Sequence, residues 1–258
     1  MGAKIREQRF RAGDYLELNI YPVFECRRSD GRRRKNRPSK DVVKKINQKN
    51  RENEVNRTLV ANFSTKDYYV TLSYKSAPGS EEQVRRDVRY FIDKLNRRRA
   101  SQGLDKAKYV KIIERGSRSG RYHIHLVISG EGITPALIAE LWGKGYVDCK
   151  PLQFSADGLK GLARYFTKDK QEGGDKEGSC RHSWSCSRNC VRPQPRTNDH
   201  KYSKRAVRSM VEENAAEKVL RAMHPDYILA DCETYYRDET GLYYIYAIMY
   251  RKDTKLSI

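Results

Sequence analysis

Alternating apolar and polar positions predict several β-strands along the chain. In YLELNIYPVF the apolar Leu16, Leu18 and Ile20 alternate with polar neighbours, and Pro22 predicts that the strand lies at a sheet edge or ends there. DYYVTLSY is rich in β-branched and aromatic residues, which favour strands. KYVKIIERG and RYHIHLVIS follow as two strands around a Gly/Ser turn, the pattern of a β-hairpin. GYVDCKPLQF predicts a further strand, and residues 227–251 predict a second hairpin across DETG.

Spacings of three and four residues predict the helices. A capping box of Ser80 and Gln83 precedes one helix. Its apolar stripe is Val84, Val88, Phe91, Ile92 and Leu95. Thr134 and Pro135 begin a short helix in which we expect Trp142 to be buried. Further helices are predicted over residues 40–62 and 204–223 and in ADGLKGLARYFTKDK.

The order of these elements predicts an α+β fold, with a central antiparallel sheet and flanking helices. We divide the chain into three parts. Residues 1–64 form a basic N-terminal extension with a strand, a loop and a helix. Residues 65–170 form the core, and residues 171–258 form a Gly-rich linker followed by a helix and a hairpin.

The net charge of the chain indicates what kind of partner it binds. The 258 residues contain 53 Lys and Arg against 33 Asp and Glu, a net charge of +20, which points to nucleic acid first and an anionic membrane surface second. No apolar run approaches the ~18 residues of a membrane span, and no secretory signal is evident, so we expect a cytoplasmic protein. The phosphate-binding motif GxxxxGK[ST] does not occur, which excludes an ATP-driven motor of that type, and we expect no nucleotide cofactor. The basic loop supplies the expected contacts to DNA phosphates: Arg32, Arg33, Arg34, Lys35 and Arg37.

Two histidines occupy alternate positions of the predicted central hairpin. His123 and His125 share one face of their strand, about 6–7 Å apart along it. A turn centred on Arg118 and Ser119 would place Glu114 opposite His123, and directly opposed residues share a face. Two imidazoles and a carboxylate can hold Zn, Mn, Mg, Co or Ni. Two half-exposed polar histidines remain the alternative interpretation of this pattern.

A candidate nucleophile follows in GLKGLARYFTKDK. Tyr165 and Lys168 are three residues apart on the predicted helix, beside its buried stripe, and Gly161 lies one turn before Tyr165 and leaves room for a substrate. Most of the 18 tyrosines are expected to serve packing or lie on the surface. The lysine, the open side of the helix and the histidine hairpin distinguish Tyr165 from them.

These motifs resemble those of the HUH endonuclease superfamily, in which U is a hydrophobic residue. Within it, the chain is similar to rolling-circle replication initiators of small bacterial plasmids and phages. DYYVTLSY matches the strand ahead of the metal motif, RYHIHLVISG the metal motif, and GLARYFTK the tyrosine motif. The later HSWSCSRN also resembles a segment that follows the tyrosine helix in phage-type members.

The resemblance implies sequence-specific, metal-dependent nicking and joining of single-stranded DNA. Tyr165 would form a 5′-phosphotyrosyl link, Lys168 would steady the phosphate charge, and His123, His125 and Glu114 would hold a divalent metal, Mg or Mn. Gly161 and Asp169, four residues either side of Tyr165, imply a single-tyrosine type. Replication-origin DNA is the implied partner and, without a motor motif, a helicase of the bacterial host. Arg164 and Trp184 are further expected DNA contacts.

Three alternatives stay open. The same chemistry serves single-tyrosine transposases and mobilisation relaxases. A non-catalytic DNA-binding regulator could share the fold, and a zinc hydrolase is disfavoured because no general base is evident beyond the ligands. Cys180, Cys186 and Cys190 with His182 could hold zinc, but they lack the CxxC pairs of common zinc sites, and scattered reduced thiols are the simpler interpretation.

Overall fold

The computed structural model describes residues 3–24, 40–116, 120–168, 184–238 and 241–252. The chain packs into two compact units. Unit 1 comprises Met1–Ile46, Ser155–Gly158 and Arg192–Ile258, and unit 2 comprises Asn47–Phe154 and Leu159–Val191. These units are defined by packing, and the functional division at residues 64 and 170 stays a prediction. The mixture of helices with two antiparallel sheets confirms the predicted α+β class.

Unit 2 is built on a five-stranded antiparallel sheet in the order β6-β3-β5-β4-β7. Its strands are β3 (Tyr68–Ser73), β4 (Tyr109–Arg115), β5 (Tyr122–Ile128), β6 (Val147–Pro151) and β7 (Ser185–Cys186). All but β7 were predicted from alternation and β-branched content. The two residues of β7 are too few to produce a periodic signal.

One face of this sheet is covered by α2 (Glu81–Ala100) and α3 (Pro135–Trp142). The Ser80 side chain accepts a hydrogen bond from the Gln83 amide, as the capping box predicts. The predicted apolar stripe of α2 is buried against strand residues that include Ile124 and Leu126. In α3 the Thr134 side chain caps the start, and Trp142 is 2% exposed.

The opposite face of the sheet is covered by α1 (Lys40–Asn62) and α4 (Lys160–Thr167). A second apolar cluster forms there from residues of both helices and of β4 and β5: Val55, Leu59, Leu159, Ala163, Phe166, Val110, Ile112 and Val127. His123 and His125 alternate with Ile124 of the first cluster, so they lie on this second face. The geometry of the sheet therefore brings the histidines and α4 to the same side.

Unit 1 contains a second five-stranded antiparallel sheet in the order β8-β1-β2-β10-β9. Its strands are β1 (Ala3–Ala12), β2 (Tyr15–Phe24), β8 (Arg196–Asn198), β9 (Tyr227–Arg237) and β10 (Leu242–Arg251). β1 was not predicted, because its sequence is largely polar and gives no clear alternation of apolar residues. Pro22 predicts that β2 lies at a sheet edge or ends there. The edge alternative is wrong, because β2 is the central strand, and the strand ends two residues after Pro22, at Phe24. β10 pairs with β2 only over Tyr15 to Ile20 of β2. Pro22 therefore lies beyond the part of β2 that has a neighbour on both sides, where its missing N–H is tolerated.

The helical stretch predicted over residues 204–223 consists of two helices, α5 (Lys204–Glu212) and α6 (Ala216–Met223). The chain turns between them at Asn214, whose φ of 52° lies in the left-handed region that asparagine tolerates. Both helices pack on one face of the unit 1 sheet through an apolar cluster that includes Val207, Leu220 and Ala247. In the described part of the chain, no helix combines the length and apolar character that crossing a bilayer requires.

Candidate active site

The hairpin of β4 and β5 sets the register of the candidate ligands. Glu114 lies directly opposite His123, which confirms the predicted pairing, and Ile112 lies opposite His125. A slip of one residue would turn the Glu114 side chain to the other face of the sheet. The register therefore places the carboxylate and both imidazoles on the face covered by α1 and α4.

His125 is fixed by two hydroxyl groups of the neighbouring strand β3. Its Nδ1 atom lies 2.9 Å from the Tyr69 hydroxyl and 3.2 Å from the Thr71 hydroxyl. The Tyr69 ring is nearly parallel to the imidazole, with an interplanar angle of 4°. The His125 Nε2 atom lies 3.2 Å from Oε2 of Glu114. Because His125 is only 7% exposed and is held at Nδ1, its orientation toward Glu114 is set by the fold.

Tyr165 brings a hydroxyl group between these two residues. It donates a hydrogen bond of 2.7 Å to Glu114 Oε2, and its oxygen lies 2.9 Å from His125 Nε2. The Tyr165 side chain is 42% exposed, whereas its neighbour Phe166 is fully buried in the core of unit 2. Phe166 thus anchors α4, while the preceding residue, Tyr165, is exposed to solvent.

Polar side chains of α1 hold both ends of α4. The start of α4 has no side-chain cap of its own, and Asn56 Oδ1 accepts a 2.9 Å hydrogen bond from the Leu159 amide instead. At the other end, Gln48 donates to the Thr167 carbonyl at 2.9 Å. Asn56 is 1% exposed, so this contact is shielded from water. These bonds fix the position of Tyr165 relative to the sheet.

The surroundings of Tyr165 disfavour the loss of its hydroxyl proton. Burial, followed by the hydrogen bond and negative charge of Glu114, raises the pKa of Tyr165 well above its usual range. Burial likewise raises the pKa of Tyr69. A neutral phenol is a weak nucleophile, so attack by Tyr165 requires a proton acceptor within reach. The Glu114 carboxylate, which accepts the hydrogen bond of the hydroxyl, meets that distance requirement.

The donor atoms suit a divalent cation. Glu114 Oε2 and His125 Nε2 already share one polar partner, the Tyr165 hydroxyl, and an oxygen and an imidazole nitrogen suit Mg, Mn or Zn. His123 is the third donor by register, and its ring centroid lies 6.5 Å from that of His125. Within the described ranges, no three His, Cys, Asp or Glu side chains are grouped closely enough to hold a metal as they stand. The donor types suit the ion, but the side chains are not drawn together around a single point, and the hydroxyl of Tyr165 lies between Glu114 and His125.

A comparison with protein families matches the part of the chain that contains these residues. Residues 67–170 match the family model of the replication-associated protein ORF2/G2P. The matched range is less than half of the 258-residue chain and contains Glu114, both histidines and Tyr165. The match supports a rolling-circle replication initiator. No curated protein and no solved structure matches the chain.

The other predicted site residues are placed less closely. Lys168 is exposed and lies one residue past the end of α4, and no described contact joins it to Tyr165. Arg164 is exposed beside Tyr165, with its Nε 3.7 Å from Glu52 Oε2. Trp184 is partly buried against the α1/α4 cluster.

Some predicted residues fall outside the described ranges. They are Arg32, Arg33, Arg34, Lys35, Arg37, Cys180 and His182. The described Cys186 and Cys190 form no disulfide within the described part of the chain. Phosphate contact by the basic loop and zinc binding by the cysteines therefore stay predictions.

Sequence reasoning missed the residues that support the site. Tyr69 and Thr71 are two apart in DYYVTLSY and thus share a face, and Thr71 lies opposite His125. That alternation was available in the sequence, but it needed the pairing of β3 with β5 to become meaningful. Asn56 and Gln48 looked like ordinary surface positions of a polar helix, because their partners in α4 lie more than a hundred residues away along the chain.

Proposed function

We propose that this protein nicks and rejoins single-stranded DNA through a covalent link to Tyr165 and thereby starts rolling-circle replication. The observation that carries the proposal is the position of the Tyr165 hydroxyl, 2.7 Å from Glu114 Oε2 and 2.9 Å from His125 Nε2 at the surface of unit 2. An exposed tyrosine whose hydroxyl donates to a neighbouring carboxylate has the geometry of a nucleophile with its base. The match to replication-associated proteins supports the same reading.

The reaction is a transesterification. The Tyr165 oxygen attacks the phosphorus of a DNA phosphodiester, the new P–O bond forms, and the bond from phosphorus to the 3′ oxygen breaks. The phenol proton passes to Glu114 Oε2, the oxygen that accepts its hydrogen bond, and the departing 3′ oxygen takes up a proton from solvent. One ester replaces another, so the 5′-phosphotyrosyl link keeps the energy needed for rejoining, and the free 3′-hydroxyl can prime synthesis.

A divalent metal, Mg or Mn, is part of the proposal. His123, His125 and Glu114 would hold it, and a bound cation there would polarise the scissile phosphate. The chain's own residues set the rest of the geometry: Tyr69 and Thr71 orient His125, and Asn56 and Gln48 position α4.

The DNA partner follows from charge and exposure. The net charge of +20 favours a polyanion, and Arg164 and Lys168 are exposed on either side of Tyr165 in the sequence, where they would contact the phosphates flanking the nick. Arg32, Arg33, Arg34, Lys35 and Arg37 would bind the origin duplex. A helicase of the bacterial host would supply unwinding.

A covalent-capture assay tests the proposal. The protein is mixed with Mn²⁺ and a random single-stranded DNA library, denatured, and examined for DNA attached to protein. We expect an adduct that disappears with EDTA and with Tyr165→Phe, and that persists with Tyr90→Phe, an exposed tyrosine of α2 on the other face of the sheet. An undiminished adduct in the Tyr165→Phe protein would exclude this nucleophile. No adduct together with tight DNA binding would favour the non-catalytic regulator.

A further inference from the structure

Unit 1 contains a cleft that the proposed nicking reaction does not use. Its volume is about 430 Å³, within the range of about 300–1,000 Å³ that small-ligand sites occupy. It is lined by the first turns of α5, by residues beside the turn of the β9–β10 hairpin, and by Ile5 of β1. Every lining residue belongs to unit 1, whereas the candidate active site is built from unit 2.

The lining of the cleft combines apolar and aromatic side chains. Ile5 and Val207 are buried core residues that also line the cleft. Tyr236 and Tyr243 are cross-strand partners with ring centroids 4.9 Å apart. Tyr236 is nevertheless 49% exposed, so much of its ring remains open to a ligand. Exposed aromatic rings of this kind are the surfaces on which nucleic-acid bases stack.

The lining also carries three positive charges, from Lys204, Arg205 and Arg208. Arg208 is braced, because its Nε donates to Glu212 at 2.8 Å and the Tyr243 hydroxyl donates to the same carboxylate. Arg208 and Tyr243 also lower the pKa of Glu212, which keeps that carboxylate charged. Lys204 and Arg205 are exposed and form no ion pair within the described ranges. Two cations are thus available for an anionic ligand beside a fixed third one.

We propose that this cleft binds a nucleotide unit of single-stranded DNA, with the base against Tyr236 and the adjoining phosphates on Lys204 and Arg205. Duplex bases are stacked and paired, so only a single strand offers a base to a cleft without an energetic cost for unstacking. The combination of apolar lining residues, an exposed aromatic ring and exposed cationic side chains fits a base joined to phosphates. This inference goes beyond the nicking reaction and depends on no step at Tyr165.

Fluorescence anisotropy on the full-length protein tests the cleft. The probe is a labelled oligothymidylate of about 15 nucleotides, a length that spans a typical single-strand site, and EDTA is present to prevent nicking. We expect Tyr236→Ala to weaken binding by roughly tenfold to a hundredfold, the effect of losing one stacked base. Tyr236→Phe retains the ring and should bind as the unmodified protein does. Tyr90→Ala, which removes an equally exposed tyrosine from unit 2, should have no effect.

The two cations give an independent measurement. The double substitution Lys204→Ala/Arg205→Ala should reduce the slope of log affinity against log salt by about 1.4, since each single-strand phosphate contact contributes about 0.7. Thermal melting confirms that each variant is folded. Because Lys204 and Arg205 are exposed, the double variant should fold and remain informative even if Tyr236→Ala does not fold.

Three results would overturn the assignment. The first is an unchanged affinity and salt slope in folded variants. The others are substitutions that weaken duplex binding as much as single-strand binding, or thymidine monophosphate binding as tightly as the oligonucleotide. Covalent capture on the same proteins separates this proposal from the nicking reaction. If binding depends on Tyr236 but no adduct forms at Tyr165, the proposed nicking reaction is excluded and the proposed binding cleft is supported.

Discussion

Phe166 and Tyr165 are neighbours on α4 with opposite environments, and this contrast gives a quantitative prediction. Phe166 is fully buried among apolar residues of α1, β4 and β5, whereas Tyr165 is 42% exposed. Truncating a buried phenylalanine to alanine removes its packing and leaves a cavity, at a cost of about 3–5 kcal/mol. With a urea dependence of about 2 kcal/mol per molar, Phe166→Ala should lower the unfolding midpoint by roughly 1.5–2.5 M.

Tryptophan fluorescence is the assay for this change. The chain has two tryptophans, Trp142 and Trp184, and both belong to unit 2, so their emission follows the unfolding of that unit alone. Tyr165→Phe is the matched control: it keeps the ring and removes one hydroxyl with its contacts to Glu114 and His125, so its midpoint should shift by the equivalent of about 1 kcal/mol, well below the shift for Phe166→Ala. Equal shifts for the two variants, or a shift below about 1 kcal/mol for Phe166→Ala, would refute the assignment of Phe166 as the anchor of α4.

Three further predictions follow from single side chains. Gly161→Ala should stabilise the protein by about 0.4–1 kcal/mol in the same urea assay, because an added Cβ meets no atom within 4 Å; a loss of stability would contradict that space. Tyr69→Phe should slow adduct formation by about 10- to 100-fold, the usual effect of losing a residue that orients a metal ligand, while leaving the urea midpoint nearly unchanged; an unaltered rate would show that Tyr69 has no such role. Burial and two arginines of α2 lower the pKa of Lys111, so folding disfavours its charged form, and this penalty diminishes as pH rises toward the ordinary value of 10.5. Lys111→Met should therefore raise the midpoint at neutral pH, by less at high salt, and a lowered midpoint would show that the charge is compensated.

The part of the fold that could be predicted from the sequence is the part with local signals. The capping box at Ser80, the proline and glycine that bound α3, and the alternation in β3 and β5 all act within a few residues of themselves. The register of the β4–β5 hairpin was also local, because a short turn fixes which residues face each other. That is why the sequence sufficed to place Glu114 opposite His123.

The remainder depended on partners distant along the chain. β1 is a strand because β2 and β8 pair with it, although its own sequence is polar. The support of His125 by Tyr69 needed the order of strands in the sheet, and the support of α4 by Asn56 needed the packing of two helices. The end of α4 at Thr167, which leaves Lys168 outside the helix, was likewise not marked by glycine or proline at that point.

The order of strands in unit 1 has a consequence for biosynthesis. β1 and β2 leave the ribosome early, but the partner that completes the other side of β2 is β10, which begins at Leu242. At about 5–20 residues per second, the β2 edge waits roughly 10–40 s for that partner. Unpaired edges invite pairing with other chains, whereas unit 2 has all its residues once Val191 is made. The yield of correctly assembled unit 1 therefore depends on how quickly translation reaches the C-terminal hairpin.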